Sequence, residues 1–155
     1  MIKDIHKKKR LLVISCTERK RHLYDRPALD VYDGPSFRVL RKHPNDGIDV
    51  LIISAMYGVV SSESKISEYN LKMTQTRSLD LRKSVSSRIN EALSSGIYEE
   101  VFFELGKDYI NTVTIKPSDF PQIKFTVDSG TIGVRLHNLR NWLEYDKNNS
   151  QSIKR

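Results

Sequence analysis

The sequence predicts an α/β protein with three layers, in which a mostly parallel sheet of four strands lies between helices. Four short apolar runs alternate along the chain with segments whose apolar residues recur at helical spacing. Alternation of this kind predicts parallel strands joined by right-handed helical crossovers. With the first strand inside the sheet, we expect the strand order 2-1-3-4. A chain of 155 residues is most simply one domain with one core.

The predicted strands are short runs rich in leucine, phenylalanine and β-branched residues, as expected for strands buried on both faces of a sheet. They span residues 11–15, 50–54, 101–105 and 123–127. The first helix begins around 33–35, where proline suits the first helical position, and ends by His43. Ser78 is expected to cap a second helix that runs to Leu93, and a short helix follows Gly106. The last helix carries apolar residues at Ile132, Leu136, Leu139 and Leu143.

The charge of the chain is concentrated at its N-terminal end. We expect a basic N-terminal segment at residues 1–10, one α/β domain at 11–145 and a polar tail at 146–155. Residues 1–26 contain nine basic and three acidic residues, which accounts for most of the net charge of +7. Such an excess is typical of a contact with a polyanion, and a solvated tail that aids solubility explains it equally well.

The composition excludes several classes of protein. No apolar run approaches the roughly 20 residues of a membrane span, and the first apolar run is too short for a signal peptide. One cysteine cannot form an internal disulfide, which favours a reducing, cytoplasmic setting. One cysteine and four scattered histidines give no zinc-ligand spacing, so we expect no metal and no cofactor. The sequence leaves the oligomeric state open.

The loop that follows the first strand, at residues 15–20, contains the strongest candidates for chemistry. Ligands of open α/β sheets bind at the C-terminal ends of the strands. Cys16 stands there, with Lys20 four positions later and Arg19 between them. Neighbouring cations favour the reactive thiolate of a cysteine, and crowding by arginines favours the nucleophilic amine of a lysine. The alternative is that Cys16 is a small buried apolar residue.

The ends of the other three strands provide candidates for substrate binding. After the second strand, Gly58 allows a close backbone approach to a ligand, and Tyr57 can stack on a base. After the third, Gly106 opens a helix whose N–H groups can face an anion, and Lys107 adds charge. For each of these the alternative is a simple turn. The expected binding residues are Ser15, Arg19, Ser54, Tyr57, Gly58, Tyr69, Gly106, Lys107, Tyr109 and Gly130.

The order of these motifs resembles that of a family of small, uncharacterised prokaryotic and phage proteins related to the YaaA peroxide-stress proteins. The likeness covers most of residues 10–144 and is most specific from Ser54 to Met73, where a Tyr-Gly turn precedes a tyrosine and a methionine. More distantly, Cys16 and Lys20 match a Cys-x-x-x-Lys motif in the central domain of archaeosine synthase, which attaches lysine to a base of transfer RNA. That motif continues with Pro-Tyr, whereas this chain continues with residues 21–22, Arg-His. The resemblance implies a uracil-DNA-glycosylase-like fold.

Three hypotheses about function follow. The first is an enzyme that modifies a nucleobase or nucleotide in tRNA or DNA, with Cys16 or Lys20 as nucleophile or general acid–base. The second is a non-catalytic nucleic-acid-binding stress protein that uses the same basic face. The third, suggested by fold alone, is an N-glycosidase, for which the candidate carboxylates are Glu18, Asp30 and Asp128.

Overall fold

A five-stranded, mostly parallel sheet forms the centre of the protein, and helices flank it. The computed structural model describes residues 8–153, with side chains as far as Glu144. In chain order the elements are β1 (Lys9–Ser15), β2 (Arg26–Pro27), α1 (Ala28–Val31), α2 (Pro35–Lys42), β3 (Ile48–Ser54), β4 (Gly58–Ser61), β5 (Lys65–Ile66), α3 (Gln75–Leu93), β6 (Tyr98–Glu104), β7 (Lys124–Asp128) and α4 (Ile132–Ile153). Two 3-10 helices, Lys107–Thr112 and Pro117–Asp119, lie between β6 and β7.

The central sheet has the order β4-β3-β1-β6-β7. Strands β1, β3, β6 and β7 are parallel, and β4 pairs with β3 in the antiparallel direction. The prediction of a four-stranded sheet is therefore wrong by one strand. The sequence did not predict strand β4, because this strand is only four residues long and lies inside a connection whose other residues are typical of a loop. Strands β2 and β5 form a separate two-stranded ribbon.

The helices are distributed over both faces of the sheet. Because β3 lies on one side of β1 and β6 on the other, right-handed crossovers place α2 and α3 on opposite faces. Helix α4 packs against α2, and the 3-10 helix Lys107–Thr112 packs against α3. Among the described residues, no helix combines the length and the apolar character that crossing a membrane requires.

Strand β1 is the centre of the core. Residues 11–14 are each at most 1% exposed, so both faces of the strand are covered. In the sheet, Val13 lies between Leu51 of β3 and Phe103 of β6. An apolar run without polar interruption is the pattern expected of a strand buried on both faces, which explains why the sequence predicts β1 well.

The ends of two helices differ from those predicted. Helix α3 begins at Gln75 because the Oγ1 atom of Thr74, and not a side chain at Ser78, accepts the capping N–H of Arg77 at 3.1 Å. Ser78 is instead buried inside the first turns of the helix. Helix α4 continues to Ile153, through the segment expected to be a polar tail, because that segment contains no glycine or proline to end it.

The basic N-terminal segment is shorter than predicted, since Lys9 and Arg10 belong to β1. Arg10 is 4% exposed, and its Nη1 atom donates to the Trp142 carbonyl at 2.9 Å, with the guanidinium 4.1 Å from the indole centroid. Lys9 pairs with Asp49 at 2.9 Å. Arg10 therefore holds α4 on the sheet and is not accessible to a polyanion. Residues 1–7 of the segment lie outside the described residues.

Replacing Gly34 with alanine should destabilise the fold by about 1–3 kcal/mol, because an added Cβ would collide with the Thr17 side chain at the start of α2. Gly133→Ala is the matched control. A Cβ at Gly133, in α4, would meet no neighbouring atom, so this change should be neutral or stabilise the helix by up to about 1 kcal/mol. Urea denaturation measures both effects. Equal stability of the two variants would contradict the close packing of Gly34 on Thr17.

Candidate functional site

A cavity of about 110 Å³ opens beside Cys16 at the C-terminal edge of the sheet. Three segments line it: residues 16–18 after β1, residues 71–73 before α3, and residues 108–109 in the 3-10 helix. The N–H of Cys16 donates to the Ile53 carbonyl at 3.0 Å, which continues the pairing of β1 with β3. The position of the thiol is therefore fixed by the sheet itself, while the other two walls come from connections.

The sulfur of Cys16 lies between two tyrosine hydroxyl groups. Its Sγ atom is 2.9 Å from Oη of Tyr109 and 3.6 Å from Oη of Tyr69. Burial raises the pKa of both tyrosines well above the ordinary range, and negative charge on Cys16 raises the two pKa values further. Both hydroxyls therefore stay protonated and can donate to the sulfur. The two hydroxyl groups thus fix the position of the sulfur from two sides.

A buried set of hydroxyl groups extends inward from the thiol. Tyr32 is fully buried, and its Oη atom donates to Oγ of Ser54 at 3.0 Å and lies 2.8 Å from Oη of Tyr69. Oγ of Ser54 also lies 2.9 Å from Oη of Tyr69 and accepts the N–H groups of Met56 and Tyr57. We call this set the hydroxyl network; its members are Cys16, Tyr32, Ser54, Tyr69 and Tyr109.

Lys20 covers the outer side of the hydroxyl network. Its Nζ atom lies 4.2 Å from the ring centroid of Tyr69 and 5.8 Å from that of Tyr32, and it donates to the Glu18 carbonyl at 3.1 Å. Burial lowers the pKa of Lys20, and the negative charge of Cys16 opposes that lowering. The ammonium group is thus coupled electrostatically to the thiolate and releases its proton more readily than an exposed lysine.

Several of the predicted site residues meet at this edge. Ser15 and Gly106 are in direct contact, since the N–H of Gly106 donates to Oγ of Ser15 at 2.9 Å. Ser54, Tyr69 and Tyr109 belong to the hydroxyl network. The ends of β1, β3 and β6 thus supply neighbouring groups, as expected for parallel strands.

Two expected binding residues after β3 take part in the turn that leads into β4. Gly58 has a φ of +76°, a conformation that glycine adopts readily, and it begins the return strand β4. Tyr57 is 42% exposed and packs edge-on against Tyr69, with its hydroxyl directed to the Ser67 carbonyl at 3.4 Å. This geometry is consistent with the alternative interpretation of the sequence, in which this segment is a tight turn.

Three further predicted residues are exposed to solvent and do not line the cavity beside Cys16. The side chain of Arg19 is 74% exposed and lies 3.9 Å from the carboxylate of Asp33. Lys107 is exposed at the start of its 3-10 helix. Gly130 is exposed beyond β7, and its N–H donates to Oδ1 of Asp128.

The three carboxylates expected for a glycosidase differ in their surroundings. Asp128 accepts from Gly130 and, at 2.7 Å, from Asn138. Asp30 is not among the residues that line the cavity, whereas Glu18 is, together with Asp108, which the sequence did not single out. Within the described part of the chain, no three His, Cys, Asp or Glu side chains are grouped as a metal site requires.

A buried carboxylate that sequence reasoning missed lies at the end of β6. Glu104 is 1% exposed; Nη1 of Arg135 lies 3.2 Å from its Oε1 atom, and Oγ of Ser36 donates to it at 3.4 Å. Burial raises the pKa of Glu104 to about 7, although the charge of Arg135 lowers it. The sequence indicates this buried carboxylate only by the position of a single acidic residue within an apolar strand, residues 101–105.

The profile of a family of unknown function, DUF6884, matches residues 11–141. The chain belongs to DUF6884. Among solved structures, the crystal structure of AF0587, a protein of unknown function, is similar to this DUF6884 chain with a TM-score of 0.54 and 15% sequence identity. The match covers 88% of this chain and 45% of that one, so the chain spans less than half of AF0587. No curated protein matches. At this identity the likeness concerns the fold alone.

Proposed function

We propose that this protein is an enzyme that modifies a nucleobase or nucleotide in tRNA or DNA, with Cys16 as nucleophile and Lys20 as general acid–base. One observation carries the proposal: the only cysteine of the chain borders a cavity, with two tyrosine hydroxyls on its sulfur and a partly buried lysine coupled to it. A cysteine that serves only for packing needs no such polar surroundings. Perturbed titratable groups that converge in a cleft are typical of active sites.

The proposed step is addition of the thiolate to an electrophilic carbon of the base. The sulfur–carbon bond forms with the sulfur's electron pair, and the displaced pair moves onto a ring or exocyclic atom. Lys20 donates a proton to that atom and becomes a neutral amine, which its lowered pKa favours. In the reverse direction the amine takes the proton back, and the hydroxyls of Tyr69 and Tyr109 receive the returning thiolate.

The size of the cavity favours a base over a whole nucleotide. At about 110 Å³ it is smaller than the roughly 300 Å³ or more typical of pockets that enclose drug-sized ligands. A base would enter, while its sugar and phosphate would lie outside. Extrusion of one base from its neighbours is the usual way in which enzymes reach a base in nucleic acid.

We also propose a relation to the YaaA-like proteins and, more remotely, to archaeosine synthase, with a uracil-DNA-glycosylase-like fold. The motif order supports this relation. The four predicted strands correspond, in chain order, to β1, β3, β6 and β7. Their spatial order in the sheet, β3-β1-β6-β7, supports the proposed order 2-1-3-4. A cytoplasmic setting is supported by the free thiol of Cys16.

Iodoacetamide labelling of the folded protein tests the proposal. Cys16 should react at neutral pH in the folded protein, because its sulfur borders an open cavity and lies beside the cation of Lys20. Nucleobases, nucleosides or short oligonucleotides that enter the cavity should slow the reaction. Mass spectrometry of the labelled protein gives the rate, and since the chain has one cysteine, every label reports this site.

Labelling in denaturant provides the reference rate. If Cys16 reacts only in denaturant, it is a packing residue, and Lys20 alone remains as the candidate nucleophile. If, in addition, Lys20→Met leaves activity on every nucleobase substrate unchanged, the non-catalytic nucleic-acid-binding protein becomes the better description.

A further inference from the structure

A groove of about 270 Å³ between α2 and α4 combines an apolar floor with basic walls. It is lined by Pro35, Arg38, Val39, Lys42, His43, Leu136 and Arg140. Of its apolar members, Val39 is buried, Leu136 is partly buried and Pro35 is exposed. The remaining members carry three fixed positive charges and one histidine. A concave surface of one charge sign concentrates the local potential and attracts the opposite charge.

The positive charge of the groove is only partly neutralised. Among the described residues, Lys42 and Arg140 form no ion pair within 4.0 Å, whereas Arg38 lies 3.3 Å from Asp33. On α4, the exposed Glu144 follows Arg140 by one helical turn and does not line the groove. An anionic ligand is therefore the natural counterpart of this surface.

Asp33 connects the groove with the loop that contains the candidate nucleophile. Its carboxylate forms ion pairs with three guanidinium groups, at 2.6 Å from Arg41, 3.3 Å from Arg38 and 3.9 Å from Arg19. A hydrogen bond from Arg38 and another from Arg41 lower the pKa of Asp33, so it stays ionised. One negative charge cannot balance three positive ones, and a basic excess extends from Arg19 to the groove.

The groove and the Cys16 cavity also meet through the packing of the chain. Pro35, which lines the groove, directly follows Gly34, and Gly34 packs against the side chain of Thr17. Thr17 in turn lines the cavity beside Cys16. The continuous series Pro35, Gly34 and Thr17 thus links the groove on the α2/α4 face with the cavity at the edge of the sheet.

We propose that the groove between α2 and α4 binds the phosphodiester backbone of the nucleic-acid strand whose base enters the Cys16 cavity. This inference rests on the proposed function, since it names the contact surface for the same substrate. Helix α2 has 8 residues and is about 12 Å long, which equals roughly three to four nucleotides along one strand of a duplex. A row of charges over an apolar floor suits alternating phosphates and sugars better than it suits a single free phosphate.

The test is fluorescence anisotropy of labelled single-stranded RNA and DNA oligonucleotides with the full chain. The double variant Lys42→Ala/Arg140→Ala should bind about tenfold more weakly, and its plot of log K against log salt should be flatter by about 1.4, since two phosphate contacts are lost. The control Lys83→Ala/Arg88→Ala removes the same charge from exposed positions on α3, on the other face of the sheet, and should change neither value.

Equal weakening by the two double variants would overturn the groove and indicate a diffuse charge effect. Unchanged binding by the groove variant would overturn it as well. In both cases the proposed enzyme function is tested separately, by whether oligonucleotides protect Cys16 from iodoacetamide. If the full chain binds neither oligonucleotide at about 50 mM salt, where such contacts are strongest, the groove proposal fails, and protection by free nucleosides decides the role of Cys16.

Discussion

Replacing Lys20 with methionine should lower the rate at which iodoacetamide alkylates Cys16 at neutral pH by about tenfold. The negative charge of Cys16 acts on Lys20, so the cation of Lys20 in turn stabilises the anionic sulfur that attacks iodoacetamide, and losing about 1.4 kcal/mol of this stabilisation changes the rate tenfold. Methionine keeps the length and apolar stem that pack on Tyr69 and removes only the charge. Alkylation rates of the wild type and the variant, measured at the same neutral pH, give the ratio.

The same substitution should lower turnover of a nucleobase substrate by about 10²–10⁴-fold, the usual contribution of a general acid–base. Lys83→Met, on the exposed side of α3, is the matched control and should leave both alkylation and turnover unchanged. Circular dichroism of the two variants should agree, since neither position contributes to the core. A Lys20→Met protein with the alkylation profile of the wild type would show that the hydroxyl network alone activates the thiol.

The parallel part of the sheet was predictable from sequence because strands buried on both faces are continuous apolar runs. Residues 11–14 show this pattern without interruption. Strand β4 does not, because it lies at the edge of the sheet, is partly exposed and consists of four residues. Its pairing with β3 depends on the turn at Gly58, and short apolar runs next to a glycine do not distinguish a hairpin from a loop.

The position of the site was also predictable, whereas its composition was not. That Cys16 and Lys20 lie at the C-terminal edge follows from where a parallel strand ends. Tyr32 was missed because it stands in the polar, charge-rich stretch of residues 17–33, and only the tertiary fold buries it beneath Tyr69. Arg19 shows the converse: it follows Cys16 by three positions, yet its exposed side chain faces Asp33, because sequence proximity does not set the direction in which a loop side chain points.

Wild-type protein should lose about 3 kcal/mol of unfolding free energy, relative to the variant Glu104→Gln, as the pH rises from about 4.5 to above 7. Burial raises the pKa of Glu104 from 4.5 to about 7 in the folded state, whereas the unfolded chain keeps the ordinary value. Between these values the folded state binds more protons, so stability falls as the pH rises. The difference between the folded and unfolded pKa of Glu104, multiplied by 1.36 kcal/mol per pKa unit, gives the expected loss of stability of about 3 kcal/mol.

Glutamine resembles the protonated carboxyl group in size and can still accept the hydrogen bond from Arg135, so Glu104→Gln should lack this pH dependence. Urea denaturation of both proteins at several pH values measures the difference between them, and subtraction removes the titration of all other groups. Glu144→Gln, an exposed change on α4, should follow the wild-type curve. If the wild-type and Glu104→Gln curves run parallel from pH 4.5 to 8, Glu104 is already ionised throughout, and Arg135 outweighs the effect of its burial.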